Sequence, residues 1–153
     1  MGKDIHVHIV ARKENHSMEL ILYDIYKEPV PVFPFRDSLL FDILSNKTYD
    51  ASYSRRIYMT DLPDYLQQLI KEDEQNFCYD FRETTLADLK ICVNKYPKIK
   101  NEDYDPDDPT SERWIDNPLY NFINRIQNYI DLADSDTFLR IPSDYRIIFW
   151  FDS

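Results

Sequence analysis

Only one glycine, Gly2, occurs among the 153 residues of the chain. Loops that cradle phosphate groups need several glycines, because a residue without a side chain lets the backbone approach the ligand closely. The sequence therefore excludes a P-loop and the glycine fingerprint of dinucleotide-binding folds. Its turns must be built from proline, asparagine and aspartate instead.

The composition is that of a globular domain with an acidic surface. A chain of this length, with 43% hydrophobic and 15% aromatic residues, can bury a stable core without disulfides. We therefore expect a single domain over residues 1–153. The net charge of -10 at pH 7 argues against nucleic-acid and anionic-membrane partners, since both need clustered lysine and arginine.

The two cysteines, Cys78 and Cys92, have no spacing typical of a metal-binding pair and are expected to be reduced packing residues. A strand pattern begins at residue 4, so no secretory leader is expected. No apolar run reaches the roughly 20 residues needed to cross a bilayer. These features predict a soluble cytoplasmic protein.

Strand patterns occur near both ends of the chain. Apolar and polar residues alternate over 4–12, and a second apolar run follows at 18–26. Together they predict an N-terminal β-hairpin. The aromatic and β-branched run YRIIFWF at 145–151 predicts a buried C-terminal strand.

Between these strands, apolar residues recur at helical spacing in four segments. Thr85 and Asp88 match a capping box, and Asn117 precedes Pro118 at the start of the longest apolar stripe. The other two helical segments begin near Arg36 and Pro63. We therefore expect an α+β fold, in which a small antiparallel sheet of the N-terminal hairpin and the C-terminal strand carries about four helices.

The stretch DIHVHI places Asp4, His6 and His8 at every second position, so a strand would present them on one face. Asp152 joins them if the terminal strand pairs with the first strand in matching parity. Two imidazoles with one or two carboxylates suit Zn²⁺, Mn²⁺ or Fe²⁺, and a vacant coordination position allows a bound water to act as nucleophile. The alternative is that this face of the strand is polar and faces solvent.

An acidic segment, NEDYDPDDPTSE at 101–112, is expected to form an exposed loop. It lacks the glycine that a calcium loop of the EF-hand type needs at its sixth position. A solvated loop is therefore the preferred interpretation. Its charges could present a surface to a protein partner.

Arg55 and Arg56 are adjacent basic residues just before a predicted helix start. Free N–H groups at a helix start favour an anion, so the pair could bind one there. The alternative is that both side chains are solvated.

Short segments across most of the chain resemble a family of small uncharacterised proteins of bacteria and their phages. The matching segments are the start MGKDIH, the helix RDSLLFDIL, the turn DLP at 61–63, the helix start TLADL at 85–89 and the ending RIIFWFD. The resemblance implies no established reaction, cofactor or ligand. Similar proteins often carry histidine and serine just before the TLADL helix, where this chain has Tyr79, Asp80, Phe81 and Arg82. The matching polar positions are Asp4, His6 and Asp152.

Two functions are consistent with the sequence. The first is a non-enzymatic accessory or protein-interaction module of bacterial or mobile-element origin, for which the acidic segment offers a partner surface. The second is a small metal-dependent hydrolase in which Asp4, His6, His8 and Asp152 hold the metal. The first is preferred, because no complete set of catalytic residues is visible.

Overall fold

The computed structural model describes residues 4–12, 18–20, 38–45, 53–59, 62–132 and 145–152. Within these ranges the chain forms seven strands and four helices. The strands are β1 (Asp4–Arg12), β2 (Met18–Leu20), β3 (Arg55–Arg56), β4 (Tyr79–Thr84), β5 (Lys98–Lys100), β6 (Trp114–Asp116) and β7 (Tyr145–Asp152). The helices are α1 (Ser38–Leu44), α2 (Asp64–Gln75), α3 (Leu86–Lys95) and α4 (Leu119–Leu132). The predicted α+β fold is confirmed.

Five strands form one antiparallel sheet in the order β2-β1-β7-β4-β3. The C-terminal strand β7 lies at its centre, between β1 and β4. In the β1–β7 register, Asp4 is opposite Asp152 and His6 is opposite Trp150. The expected pairing of the two chain ends is thus confirmed, while the part of the predicted second strand at 21–26 lies outside the described residues.

One face of the sheet carries the larger hydrophobic core, to which α1, α3 and α4 contribute. The β1 residues in it are Ile5, Val7 and Ile9. From β7 it takes Tyr145, Ile147, Phe149 and Phe151, which alternate along the strand with residues of the other face. Since β7 is central and covered on both sides, its sequence has an unbroken apolar run instead of an alternating pattern.

The opposite face of the sheet is also buried. Ile148 and Trp150 pack there against Leu66 and Ile70 of α2. His8, on the same face of β1, is fully buried. The alternative of a solvent-facing polar side for β1 is therefore wrong for His8, because α2 must itself bury an apolar stripe and does so over this face.

The predicted starts of α3 and α4 are confirmed by their capping hydrogen bonds. Asp88 N donates to Thr85 Oγ1 at 3.1 Å, and Leu119 N donates to Asn117 Oδ1 at 3.0 Å. The Asn117 amide also donates from Nδ2 to the carbonyl oxygen of Tyr96, at 2.9 Å. Asn117 therefore ties the end of α3 to the start of α4. None of the helices in the described ranges is long and apolar enough to cross a membrane.

Replacing Asn117 with alanine is expected to lower the free energy of unfolding by about 1–2 kcal/mol, because a capping acceptor and a buried hydrogen bond are lost together. Urea unfolding of the two proteins measures the difference. Asn121→Ala is the matched control, since Asn121 is exposed on the same helix. Equal losses in the two variants would contradict the capping role.

The acidic segment 101–112 lies in the connection between β5 and β6, the two strands of the smaller sheet. Its turns are shaped by side-chain acceptors: Asp107 N donates to Asp105 Oδ1 and Thr110 N donates to Asp108 Oδ1, each at 2.9 Å. The hydrogen bonds from Thr110 lower the pKa of the Asp108 carboxyl. The segment is mostly exposed, as expected. The flanking strands β5 and β6 were not predicted, because a strand of three residues is too short to show a sequence period.

Candidate metal centre

His6, Cys78 and Asp152 bring a nitrogen, a sulfur and an oxygen donor together. Their ligand atoms all lie within 4.8 Å of one another. His6 Nε2 and Asp152 Oδ2 are hydrogen-bonded at 2.5 Å. The three residues come from β1, the turn before β4 and the end of β7, which are neighbours in the sheet. The sheet order thus joins donors from three distant parts of the sequence.

The site lies at the rim of the buried face. The side chain of His6 is 13% exposed and that of Asp152 is 34% exposed. Cys78 is half-buried. The donors are therefore partly shielded from water, which strengthens their attraction for a cation, yet an ion can still reach them from solvent.

The turn that ends α2 delivers Cys78 to the site. Phe77 N donates to the carbonyl oxygen of Glu74 at 3.3 Å, and Cys78 N donates to that of Asp73 at 3.0 Å. These are the two hydrogen bonds of a Schellman motif, which needs a left-handed residue just after the helix cap. Phe77 occupies that position with φ 68°.

A left-handed phenylalanine is unfavourable, because its Cβ crowds the following carbonyl group at a cost of about 1–2 kcal/mol. Phe77 is 86% exposed, so packing does not offset the strain. Natural helices usually place glycine here. This chain, whose one glycine is Gly2, uses phenylalanine instead.

Replacing Phe77 with glycine is expected to raise the free energy of unfolding by about 1 kcal/mol, because the left-handed strain is relieved with little loss of buried surface. Chemical denaturation measures the gain. Phe77→Ala is the control, since alanine keeps the Cβ and the strain. A gain from alanine as large as that from glycine would show that the exposed ring, and not the backbone, is responsible.

The electrostatics of the site favour a cation. Burial raises the pKa of the Cys78 thiol above its ordinary value, and the negative charges of Asp73 and Asp152 raise it further. The thiol is therefore protonated at neutral pH and is a poor nucleophile. A divalent metal bound here would replace that proton and neutralise the surrounding negative charge. The arrangement suits metal binding better than nucleophilic catalysis by Cys78.

Two of the four predicted ligands, His6 and Asp152, are in direct contact. Asp4 is paired with Asp152 in the strand register, but its side chain lies outside the described part of the chain. His8 is not a member of the donor group. Its ring is fully buried and stacks on Trp150, with centroids 5.0 Å apart and planes 20° apart. Metal binding itself stays a prediction.

The sequence pattern does not identify Cys78 as a candidate ligand. It predicts only a reduced packing thiol at this position. No cysteine or histidine lies at ligand spacing from it, so the usual signal of a metal motif is absent. The useful signal is its position between the end of α2 and the start of β4. Only the sheet order, with β4 beside β7, shows that this position adjoins Asp152.

Trp150 packs beside the site and connects it to α2. Its ring stacks on His6 at 6.0 Å, on His8 at 5.0 Å and on Phe81 at 5.3 Å between centroids. Its Nε1 donates a hydrogen bond to Asp73 Oδ2 at 2.8 Å. One buried indole therefore contacts the ligand-bearing strand and the helix that delivers Cys78.

A second charged cluster, separate from the donor group, lies where β3, β4 and β7 meet. The buried carboxylate of Glu83 accepts hydrogen bonds from Arg55 Nε at 3.0 Å, from Tyr58 N at 3.1 Å and from the Arg146 guanidinium. Both carboxylate oxygens are therefore paired. The anion beside Arg55 is a side chain of the protein itself, so this cluster holds the strands together.

Comparison with known proteins found no match to any family model, to the curated proteins or to the solved structures. The resemblance to small bacterial and phage proteins stays a prediction.

Proposed function

We propose that this protein binds a divalent transition metal, with zinc favoured, through His6, Cys78 and Asp152. The observation that carries the proposal is the convergence of three different donors within 4.8 Å. Imidazole, thiolate and carboxylate are the three ligand types found in protein zinc sites. A thiolate also disfavours Mg²⁺, Ca²⁺ and Mn²⁺, which prefer oxygen donors.

The number of donors bears on what the bound metal would do. Structural zinc sites use four protein ligands, whereas catalytic sites use three and leave one position for water. Among the described residues the donors number three, which supports metal-assisted hydrolysis, in which a bound metal would lower the pKa of a water for attack on a phosphoester or amide. Asp4, opposite Asp152 in the register, is the candidate for a fourth ligand. If Asp4 binds the metal, the site becomes structural.

The proposal is tested by elemental analysis of protein purified without a metal-affinity tag, followed by zinc titration against a chromophoric chelator. We expect about one zinc ion per chain, and His6→Ala or Cys78→Ser should each weaken binding by at least about tenfold, since each removes a ligand. Asp4→Asn tests the fourth position in the same assay.

Cys92→Ala is the matched control, because Cys92 is the other cysteine and lies in the main core. It should keep wild-type stoichiometry and affinity. A wild-type protein that takes up no zinc from excess, or a Cys78→Ser variant that binds as tightly as the wild type, would refute the site.

The acidic segment 101–112 supports a second proposed function, a non-enzymatic accessory module that binds a protein with a basic surface. The segment contains acidic side chains without any lysine or arginine. Its turns are already fixed by the acceptors of Asp105 and Asp108, so little ordering remains for binding. A fixed cluster of like charges also accelerates encounter with a partner of opposite charge.

A variant with half of the acidic charges removed tests this second proposal without disturbing the turns. Glu102→Gln, Asp103→Asn and Asp107→Asn remove three charges and keep the Asp105 and Asp108 acceptors. The control variant removes three exposed charges of α2 instead, at Asp64, Glu72 and Glu74. A basic partner captured by the wild type and the control, but not by the loop variant, would support the proposal. Capture by all three proteins would refute it.

A further inference from the structure

We propose that Asp73 supports the metal centre from outside: it is a positioning residue that fixes Cys78 through its carbonyl oxygen and His6 through Trp150, and its negative charge favours the bound cation. Asp73 does not belong to the donor group itself. The inference rests on the proposed metal site and assigns to that site a residue that supports it from outside. Such supporting residues commonly change metal affinity by 10- to 100-fold.

The backbone of Asp73 fixes the point at which the thiol leaves α2. Its carbonyl oxygen accepts the hydrogen bond from Cys78 N at 3.0 Å, the longer-range bond of the Schellman motif. The left-handed Phe77 lies between the two residues and closes the turn. The position of Cys78 is thus tied to the last turn of the helix.

The side chain of Asp73 is linked to the other two donors, His6 and Asp152, through Trp150 of β7. It is a carboxylate only 9% exposed, on the helix face that packs on β7. A buried carboxylate is costly unless it is hydrogen-bonded, and here Oδ2 accepts from Trp150 Nε1 at 2.8 Å. Trp150 stacks on His6 and precedes Asp152 on β7 by two residues. Asp73 therefore helps to fix the ring that supports His6 and the strand that carries Asp152.

The charge of Asp73 is the part of this role that a neutral residue cannot replace. An asparagine at position 73 would still offer an oxygen acceptor to the indole N–H. It would not supply the negative charge that acts on Cys78, where the cation would bind. Asp73→Asn therefore separates the electrostatic contribution from the hydrogen bond.

The test uses Co²⁺ as the probe, because it accepts the ligands of a zinc site and its bond to a thiolate gives a charge-transfer absorption band. Affinity and band are measured for the wild type, Asp73→Asn and Trp150→Phe, which keeps an aromatic ring but removes the indole donor. We expect Asp73→Asn to bind one Co²⁺ with an affinity about 10- to 100-fold lower. We expect Trp150→Phe to bind more weakly than the wild type as well.

Glu72→Gln and Glu74→Gln are the matched controls, because they remove the same charge from exposed positions beside Asp73 on α2. They should bind Co²⁺ as the wild type does. Urea unfolding of the metal-free proteins shows that each variant is folded under the titration conditions. If Asp73→Asn fails to fold, Trp150→Phe decides: weaker binding by the folded variant supports the role, and unchanged binding refutes it.

The outcomes also separate this inference from the proposed function. If the wild type binds neither Co²⁺ nor Zn²⁺, the metal site is refuted and the role of Asp73 with it. If the wild type binds, and folded Asp73→Asn and Trp150→Phe variants both bind equally tightly, only the role of Asp73 is overturned. An equal loss in Glu74→Gln would overturn it too, since the effect would then be that of net charge.

Discussion

Replacing Glu83 with glutamine is expected to lower the free energy of unfolding by about 3 kcal/mol, because it leaves a largely buried guanidinium without its counter-charge. Glu83 is 2% exposed, and the Arg146 side chain that it pairs with is 15% exposed. Arg55 is affected much less, since its side chain is 76% exposed and can be solvated. The loss is therefore assigned mainly to Arg146 and to the Tyr58 N–H.

The measurement is urea or guanidinium unfolding of the full chain, with Glu102→Gln as the control at an exposed site. The control should change stability by less than about 0.5 kcal/mol. A double replacement, Glu83→Leu with Arg146→Leu, should recover part of the loss, because removing both charges leaves neither unpaired. A loss below about 1 kcal/mol in Glu83→Gln would show that water reaches the cluster.

The elements that could be predicted from the sequence are those with a long period or a strong end signal. The alternation in β1 and the unbroken apolar run of β7 both identify strands, and the register confirms that these strands pair. Thr85 and Asn117 mark helix starts because their side-chain oxygens satisfy N–H groups that have no partner in the helix. Short strands such as β3 and β5, with two or three residues, contain too few positions to show a period.

The covered second face of the sheet could not be predicted, because histidine is ambiguous in a hydrophobic pattern. The side of β1 that carries His6 and His8 is equally consistent with solvent exposure or burial. The stacking of both rings on Trp150 makes burial favourable, but it depends on which strand lies beside β1. The apolar stripe of α2 does not show which surface it covers.

For a related reason, only two of the three donors, His6 and Asp152, could be predicted from the sequence. Parity along two strands places His6 and Asp152 on one face once their pairing is assumed, and the structure shows their hydrogen bond. Cys78 belongs to a turn, where no period relates it to the other donors. Its position depends on a Schellman motif that the sequence conceals, because Phe77 occupies the place usually held by glycine.

The zinc affinity is expected to rise about tenfold per pH unit between pH 7 and pH 9, because binding releases the thiol proton of Cys78. The sign follows from the raised pKa of Cys78, for which burial is the first cause and the charges of Asp73 and Asp152 are the next. A thiol whose pKa is raised from its ordinary value of 9.0 keeps its proton throughout this range, so the metal must compete with that proton at every pH in it. Lower pH therefore weakens binding.

Cys78→Ser is the control for this pH dependence, since a serine hydroxyl does not ionise in the range. Its residual zinc affinity should be weaker and nearly independent of pH between 7 and 9. Competition with a chelator, corrected for the chelator's own protonation, measures both proteins on one scale. A wild-type affinity that stays constant from pH 7 to pH 9 would mean that no thiol proton is released, and Cys78 would then not be a ligand. A slope of one shared by both proteins would place the released proton on another group or on a metal-bound water, so the difference between the two slopes identifies the thiolate–metal bond.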